Sequence, residues 1–184
     1  MGSNKYKKEL YFDPEADSST GADYFISDGE LRSTLREVID TTEKIDKVRY
    51  YTNPLSEIQY TKYLLHHAYI VLETDKWWWS IEKNSERVTI QRSKKLKYVR
   101  DKYQRKDRTT SLTSKITLET KATGIRTMNE LIDHLYVKDY LNQEYDFATY
   151  NCKHLADLIY YFLTEQHPTY AVRLLRLITV EKHR

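Results

Sequence analysis

Three consecutive runs rich in β-branched and aromatic residues place the strongest constraint on the fold of this chain. They span residues 68–73, 77–83 and 87–92, and only the polar triplets TDK and NSE separate them. Connections this short join antiparallel neighbours, because parallel strands need a crossover of roughly a dozen or more residues. The sequence therefore predicts an antiparallel meander over residues 68–92.

Helical patterns surround the meander. Ser27 and Thr127 each begin a capping-box pattern, the first opening a helix that runs to about residue 45. Residues 152–163 repeat apolar side chains at helical spacing. Further predicted elements are strands at residues 48–51 and 111–120, helices at residues 56–65 and from Pro168 onward, and a thin helical stripe within residues 96–103. The mixture predicts an α+β fold in which an antiparallel sheet that carries a histidine packs against a helix with a cysteine at its N-terminus.

The length of 184 residues suits one domain with a substantial core. Residues 1–22 contain acids, serines, Gly21 and Pro14 and predict a flexible leader, so the single domain is expected at residues 23–184. No run reaches the roughly 18 apolar residues of a membrane span, and the lysine-rich start does not resemble a signal peptide. A single cysteine is typical of a reducing compartment, which predicts a cytoplasmic protein, in contact with membranes at most peripherally.

That cysteine, Cys152, falls in the first turn of the predicted helix, directly after the capping residue Asn151. The free N–H groups and the dipole of a helix N-terminus lower the pKa of a thiol and favour the thiolate. A nucleophile also needs a base, and His66 and His67 stand immediately before the first strand of the meander. The alternative is a core cysteine, because Cys152 shares a helical face with Leu155.

Two short motifs carry a resemblance to a known family. The hexapeptide YNCKHL at residues 150–155 resembles the Asn-Cys-Glu-His-Phe motif of the lecithin:retinol acyltransferase and H-rev107 group, within the NlpC/P60 papain-like superfamily. The run HHAYIV at residues 66–71 is similar to the histidine strand of that group, and the order of histidine before cysteine agrees. The chain departs from the pattern at Lys153, Leu155 and His67, which replace an acidic residue, a phenylalanine and an aromatic residue.

The resemblance implies a thiol-dependent acyl hydrolase or acyltransferase that forms a thioester on Cys152, with a lipid ester or an amide or peptide as substrate. Neighbouring strand residues point to opposite faces, so only one of His66 and His67 can face the thiol. The family offset favours His66 as the base, because the small residue Ala68 follows two places on. The resembled group takes its orienting polar residue from the next strand, where Glu82 is the better candidate; a solvent-facing strand-end glutamate is the alternative.

Five further residues are candidates for binding the substrate. Trp77 and Trp79 share one face of a strand and Trp78 takes the other; one face is expected in the core, and the other, if open, would hold an acyl chain or a hydrophobic peptide. Tyr150 and Asn151 adjoin Cys152 in the resembled motif and are assigned to the same site.

A basic segment is the strongest signal for a different partner. From Lys83 to Arg108 the chain holds 11 lysines and arginines against 3 acidic residues, although the whole chain carries only +3. Such a segment attracts nucleic acid, on which Tyr98 and Tyr103 would stack, or an anionic membrane surface, which is placed ahead of nucleic acid. A solvated charged helix without a partner gives the same pattern.

The second functional hypothesis is a non-catalytic binding module on the same fold, which engages a protein, an anionic lipid or nucleic acid through the basic and aromatic residues. Metal chemistry is not expected, because the adjacent pair His66 and His67 cannot chelate from one strand face. The sequence predicts no cofactor.

Overall fold

The computed structural model describes residues 5–40, 42–54, 66–108, 116–146 and 148–168, and it is an α+β structure with a mostly antiparallel sheet. The helices are α1 (Asp28–Val38), α2 (Leu96–Arg100), α3 (Met128–Val137) and α4 (Cys152–Thr164). The strands are β1 (Glu9–Asp13), β2 (Tyr24–Ser27), β3 (Ile45–Pro54), β4 (His66–Thr74), β5 (Trp78–Lys83), β6 (Val88–Ser93), β7 (Lys102–Tyr103), β8 (Lys106–Asp107) and β9 (Thr117–Thr123).

Seven strands form one sheet in the order β2-β1-β6-β5-β4-β3-β9. The predicted meander is confirmed, because β4, β5 and β6 pair antiparallel in succession, with Leu72 opposite Trp79 and Ile81 opposite Ile90. Of the pairings within this sheet only β1 with β6 is parallel. β7 and β8 form a separate small hairpin after α2.

The prediction of a flexible leader is wrong for residues 9–13. They form β1, which lies between β2 and β6, and both Leu10 and Phe12 are fully buried. The carboxylate of Asp13 is buried too and pairs with Arg105 at 3.0 Å. The partner strand β6 lies more than seventy residues away, so the local pattern of a five-residue strand did not reveal the pairing.

Alternation in β4 divides the core between the two faces of the sheet. Ala68 and Ile70 join the main cluster, which also contains the apolar stripes of α1, α3 and α4. Tyr69 and Val71 belong to a smaller cluster on the other face, together with Val99 of α2. The N-terminus of α4 and the start of β4 therefore come close at one end of the sheet, while α2 and its hairpin cover the opposite face.

The predicted helix N-termini are confirmed by their caps. The Thr127 hydroxyl accepts the Glu130 N–H at 3.2 Å, and the Glu30 carboxylate accepts the Ser27 N–H at 3.2 Å. α1 ends at Val38, earlier than predicted, because Ile39 turns to extended backbone. Of the other predicted elements, the helices at residues 56–65 and after Pro168 and the first part of the strand at 111–120 lie outside the described residues.

Candidate active site

Cys152 is the first residue of α4 and is only 5% exposed. The Asn151 side chain caps the helix by accepting the His154 N–H at 3.0 Å. The Cys152 sulfur lies 4.0 Å from the carbonyl oxygen of His66, and the backbone N–H groups of Ala68 and Lys153 donate hydrogen bonds to it. The turn that begins α4 thus aims a sulfur atom at the start of β4.

The His67 imidazole joins this sulfur to a carboxylate. Its Nε2 atom lies 2.6 Å from Oε2 of Glu82, and it also forms a hydrogen bond with Cys152. Burial lowers the pKa of His67, but the bonds with Cys152 and Glu82 outweigh burial and raise that pKa to about 9. For Cys152, burial raises the pKa, but the bond and charge of His67 and the two N–H groups lower it overall.

Arg108 and His67 together stabilise Glu82 as an anion. Its side chain is 1% exposed, and Nη1 of Arg108 donates to Oε2 at 2.8 Å while Nη2 donates to Oε1. Burial alone would raise the pKa of Glu82, but the charge and hydrogen bonds of Arg108 and the bond from His67 lower it to about 2. The alternative of a solvent-facing strand-end glutamate is therefore wrong.

Arg108 belongs to the site, although the sequence marked it only as the end of the basic segment. Its side chain is 2% exposed, and its guanidinium carbon lies 4.0 Å from the ring centroid of Tyr69. The Asn53 side chain donates to the Arg108 carbonyl oxygen at 3.3 Å. In the sequence Arg108 is the last cation of a basic run. Nothing in the neighbouring residues distinguishes this buried arginine from the solvent-exposed cations before it.

Tyr145 also reaches the sulfur. It forms a hydrogen bond with Cys152, and burial, followed by the charge and bond of Cys152, raises the pKa of Tyr145 to about 12. The hydroxyl therefore keeps its proton at neutral pH and is available as a donor to a thiolate. In the sequence, the position of Tyr145 in the loop before α4 is the only signal of its role.

The structure gives His66 and His67 different surroundings, which bears on the prediction of His66 as the base. The sulfur meets the main-chain carbonyl of His66 but the side chain of His67. Alternation correctly restricts the choice to one histidine but does not say which one. In the structure the His67 ring lies 6.1 Å from the Tyr69 ring, nearly parallel to it, and close to Glu82 on the adjacent strand.

The tryptophans do not form an open platform. Trp79 is fully buried in the main core and donates its Nε1–H to Glu43 at 2.7 Å, so its assignment to substrate binding is wrong. Trp78 is half-buried beneath Arg49 at 4.7 Å, and Trp77 is half-buried beneath Lys94 at 3.4 Å. Three large rings in a row predict burial of one face, but they do not show what covers the other.

The two motif neighbours of Cys152 have different surroundings. Asn151 uses its side-chain oxygen as the helix cap. Tyr150 is 43% exposed and packs edge-on against His154, with ring centroids 5.2 Å apart. Tyr150 is thus a substrate-binding candidate with an accessible ring, two residues before the buried Cys152.

Across the described parts of the chain, none of the helices has the length and apolar character needed to cross a membrane. The same residues contain no group of three or more His, Cys, Asp or Glu side chains placed to hold a metal ion. Comparisons with known protein families, with curated proteins and with solved structures gave no match.

Proposed function

We propose that this protein is a thiol-dependent acyl hydrolase or acyltransferase with Cys152 as nucleophile and His67 as general base. The observation that carries the proposal is the position of one imidazole, which bonds the Cys152 sulfur and, through Nε2, the Glu82 carboxylate. This is the arrangement of nucleophile, base and orienting group on which covalent acyl transfer depends.

The first half of the reaction follows from these contacts. With Nε2 bonded to Glu82, Nδ1 is the nitrogen that takes the thiol proton. The thiolate attacks the acyl carbon and forms a C–S bond. The C–O or C–N bond to the leaving group then breaks, and the imidazolium of His67 returns its proton to the departing oxygen or nitrogen. The product of this half is an acyl thioester on Cys152.

The second half releases the acyl group. His67 takes a proton from water, or from another acceptor, and the oxygen of that acceptor attacks the thioester carbon. The C–S bond breaks and the sulfur leaves as the thiolate. Cys152 and the protonated His67 are then again the thiolate–imidazolium pair that attacked the acyl carbon in the first half. Glu82 holds the imidazolium in place during both halves, and Arg108 acts through Glu82 as a positioning residue.

Three donors around the sulfur support the same chemistry. The N–H groups of Ala68 and Lys153 and the hydroxyl of Tyr145 all bond the sulfur, and each stabilises a thiolate more than a thiol. Such donors favour a sulfur that is nucleophilic at neutral pH over an inert core cysteine. The substrate class, a lipid ester or an amide, is inferred from the resemblance of residues 66–71 and 150–155.

A test of the proposal is the capture of the thioester. Incubation with a p-nitrophenyl ester is expected to release nitrophenol and add one acyl group to Cys152, visible in the intact mass. The Cys152→Ala variant should show neither. Parallel incubations with a diacylphosphatidylcholine and with an N-acylated peptide then distinguish ester from amide substrates. Undiminished turnover by a folded Cys152→Ala protein would end the proposal.

The alternative, a binding module on the same fold, is favoured by one observation. Cys152 is 5% exposed, and a cavity of about 360 Å³ lies elsewhere, lined by Lys5, Tyr6, Lys7 and Glu86. If no ester or amide probe acylates Cys152 while the thiol still reacts with iodoacetamide, the binding module becomes the better description.

A further inference from the structure

The basic segment divides into two sets of side chains with opposite surroundings. Its arginines are engaged within the molecule: each one either pairs with a carboxylate or donates to main-chain oxygens. The pairs are Arg87 with Glu9, Arg100 with Asp101, Arg105 with Asp13 and Arg108 with Glu82, while Arg92 donates to the carbonyl oxygens of Pro14 and Val38. Much of the positive charge counted in the sequence is therefore neutralised or engaged within the fold.

Six lysines remain, and one of them, Lys83, is buried and donates to the Gln143 carbonyl oxygen. We call the other five the lysine surface: Lys94, Lys95, Lys97, Lys102 and Lys106. All are exposed except Lys102, which is half-exposed. In the part of the chain that the structure describes, none of the five forms an ion pair with a carboxylate.

One compact unit brings these lysines together. α2 is followed directly by the β7–β8 hairpin, in which Tyr103 pairs with Lys106. The Arg108 N–H donates to the Asp101 carbonyl oxygen at 2.8 Å and closes the unit. The Asp101 side chain is engaged by Arg100, so Asp107 is the remaining carboxylate among residues 94–107. Five lysines against one free carboxylate leave a strongly positive patch.

We propose that the lysine surface binds an anionic phospholipid membrane. Exposed ammonium groups are point charges that suit a layer of mobile headgroups, whereas the bidentate arginines that recognise individual phosphates are engaged inside the fold.

Nucleic acid fits the same surface less well. Stacking on bases needs an open aromatic face. Tyr98 is half-buried, and the ammonium groups of Lys97 and Lys102 lie 4.9 and 5.2 Å from its ring centroid. The second tyrosine, Tyr103, is half-buried and receives a hydrogen bond from Gln104 at 3.0 Å.

The test uses the Cys152→Ala protein, so that binding is measured apart from any reaction. Co-sedimentation with vesicles of phosphatidylcholine and phosphatidylserine in equal parts is expected to bring the protein down. Vesicles of phosphatidylcholine alone should not, and added salt should release the protein because it screens exposed charges. Replacing Lys95, Lys97 and Lys106 together by alanine should weaken the affinity about a hundredfold, from the attraction that each basic residue contributes near the membrane surface.

A matched control removes the same charge elsewhere. Lys44, Lys121 and Lys138 are exposed lysines outside the surface, and their triple replacement by alanine is expected to bind the vesicles as the parent does. Equal losses in the two triple variants would mean that net charge alone drives binding and would overturn the proposal. Tighter binding to a single-stranded oligonucleotide than to the mixed vesicles would overturn it as well, in favour of nucleic acid.

Discussion

His67 lies between two groups that both favour its charged form. The carboxylate of Glu82 is 2.6 Å from Nε2, and the sulfur of Cys152 shares a hydrogen bond with the same ring. The interaction is reciprocal: it raises the pKa of the imidazole and lowers the pKa of the thiol. Burial opposes the charged form of both residues, so the ionised pair is stabilised by direct contact between the groups and not by solvent.

The pH dependence of iodoacetamide labelling tests this coupling, and the single cysteine makes the reading unambiguous. In the parent protein the labelling rate should rise through an apparent pKa below the ordinary thiol value of about 8.5. In His67→Gln that pKa should rise, because the imidazolium is lost and burial of the sulfur remains.

His66→Gln is the matched control for this measurement. Its carbonyl oxygen, which a side-chain substitution keeps, is the atom placed 4.0 Å from the sulfur. The apparent pKa of Cys152 should therefore stay at the parent value in His66→Gln. A rise in His66→Gln with no rise in His67→Gln would restore the original preference for His66.

The residues of the candidate site differ in how far the sequence could reveal them. Cys152, the histidine pair and Glu82 could be named because a helix start and two adjacent strands are local patterns. The choice between His66 and His67 could not be made, since it depends on which face of β4 each side chain takes. Arg108 was hidden for another reason: its partner Glu82 lies 26 residues away and nothing local marks the pair.

The α2 element and its hairpin connect the site to the rest of the fold. They lie against the face of the sheet that carries Tyr69, whose hydroxyl donates to the Arg100 carbonyl oxygen at 2.7 Å. Arg108 then enters from the end of the hairpin to bond Glu82. One element therefore holds a buried ion pair on its inner side and the lysine surface on its outer side.

Arg108→Met is expected to destabilise the protein by about 3–5 kcal/mol, because the buried carboxylate of Glu82 loses the guanidinium that bonds both of its oxygens. Urea unfolding measures the loss. Adding Glu82→Gln to the same protein removes the unpaired charge and should recover a large part of the stability. The apparent pKa of Cys152 labelling should still rise in this double variant, because the charge that stabilises the His67 imidazolium is gone.

Arg100→Met is the control for the ion pair. Arg100 bonds its neighbour Asp101, and both side chains are more than a third exposed, so its loss should cost less than about 1 kcal/mol. Similar losses of unfolding free energy in Arg100→Met and Arg108→Met would show that the buried pair of Arg108 and Glu82 stabilises the fold no more than an exposed ion pair does.

Sequence reasoning was most successful for whole elements with a local signature. The meander and the capped helices could be predicted because short polar breaks and capping boxes are read within a few residues. The strands β1 and β2 could not, since their pairing connects distant segments of the chain. The parallel pairing of β1 with β6 is of this kind, with Phe12 opposite Ile90.

At the scale of the whole molecule, β1 extends the sheet beyond the meander and adds to one continuous core. Phe12 lies in the main cluster and stacks on Trp79 with ring centroids 6.1 Å apart. Leu10, two residues earlier on the same face, is fully buried in that cluster as well. The N-terminal strand should therefore unfold together with the rest of the sheet, because its buried side chains belong to the same core.

Phe12→Ala tests this integration. If β1 belongs to the cooperative core, the substitution should lower the free energy of unfolding by about 3–5 kcal/mol, because it leaves a cavity beside Trp79. The control is Phe25→Ala on β2, whose ring is 57% exposed and contacts Tyr11 edge-on, so its loss should cost about 1 kcal/mol. Urea unfolding followed by circular dichroism measures both. A cost for Phe12→Ala no larger than that for Phe25→Ala would mean that residues 9–13 do not contribute to the core and that the loose-leader prediction was right.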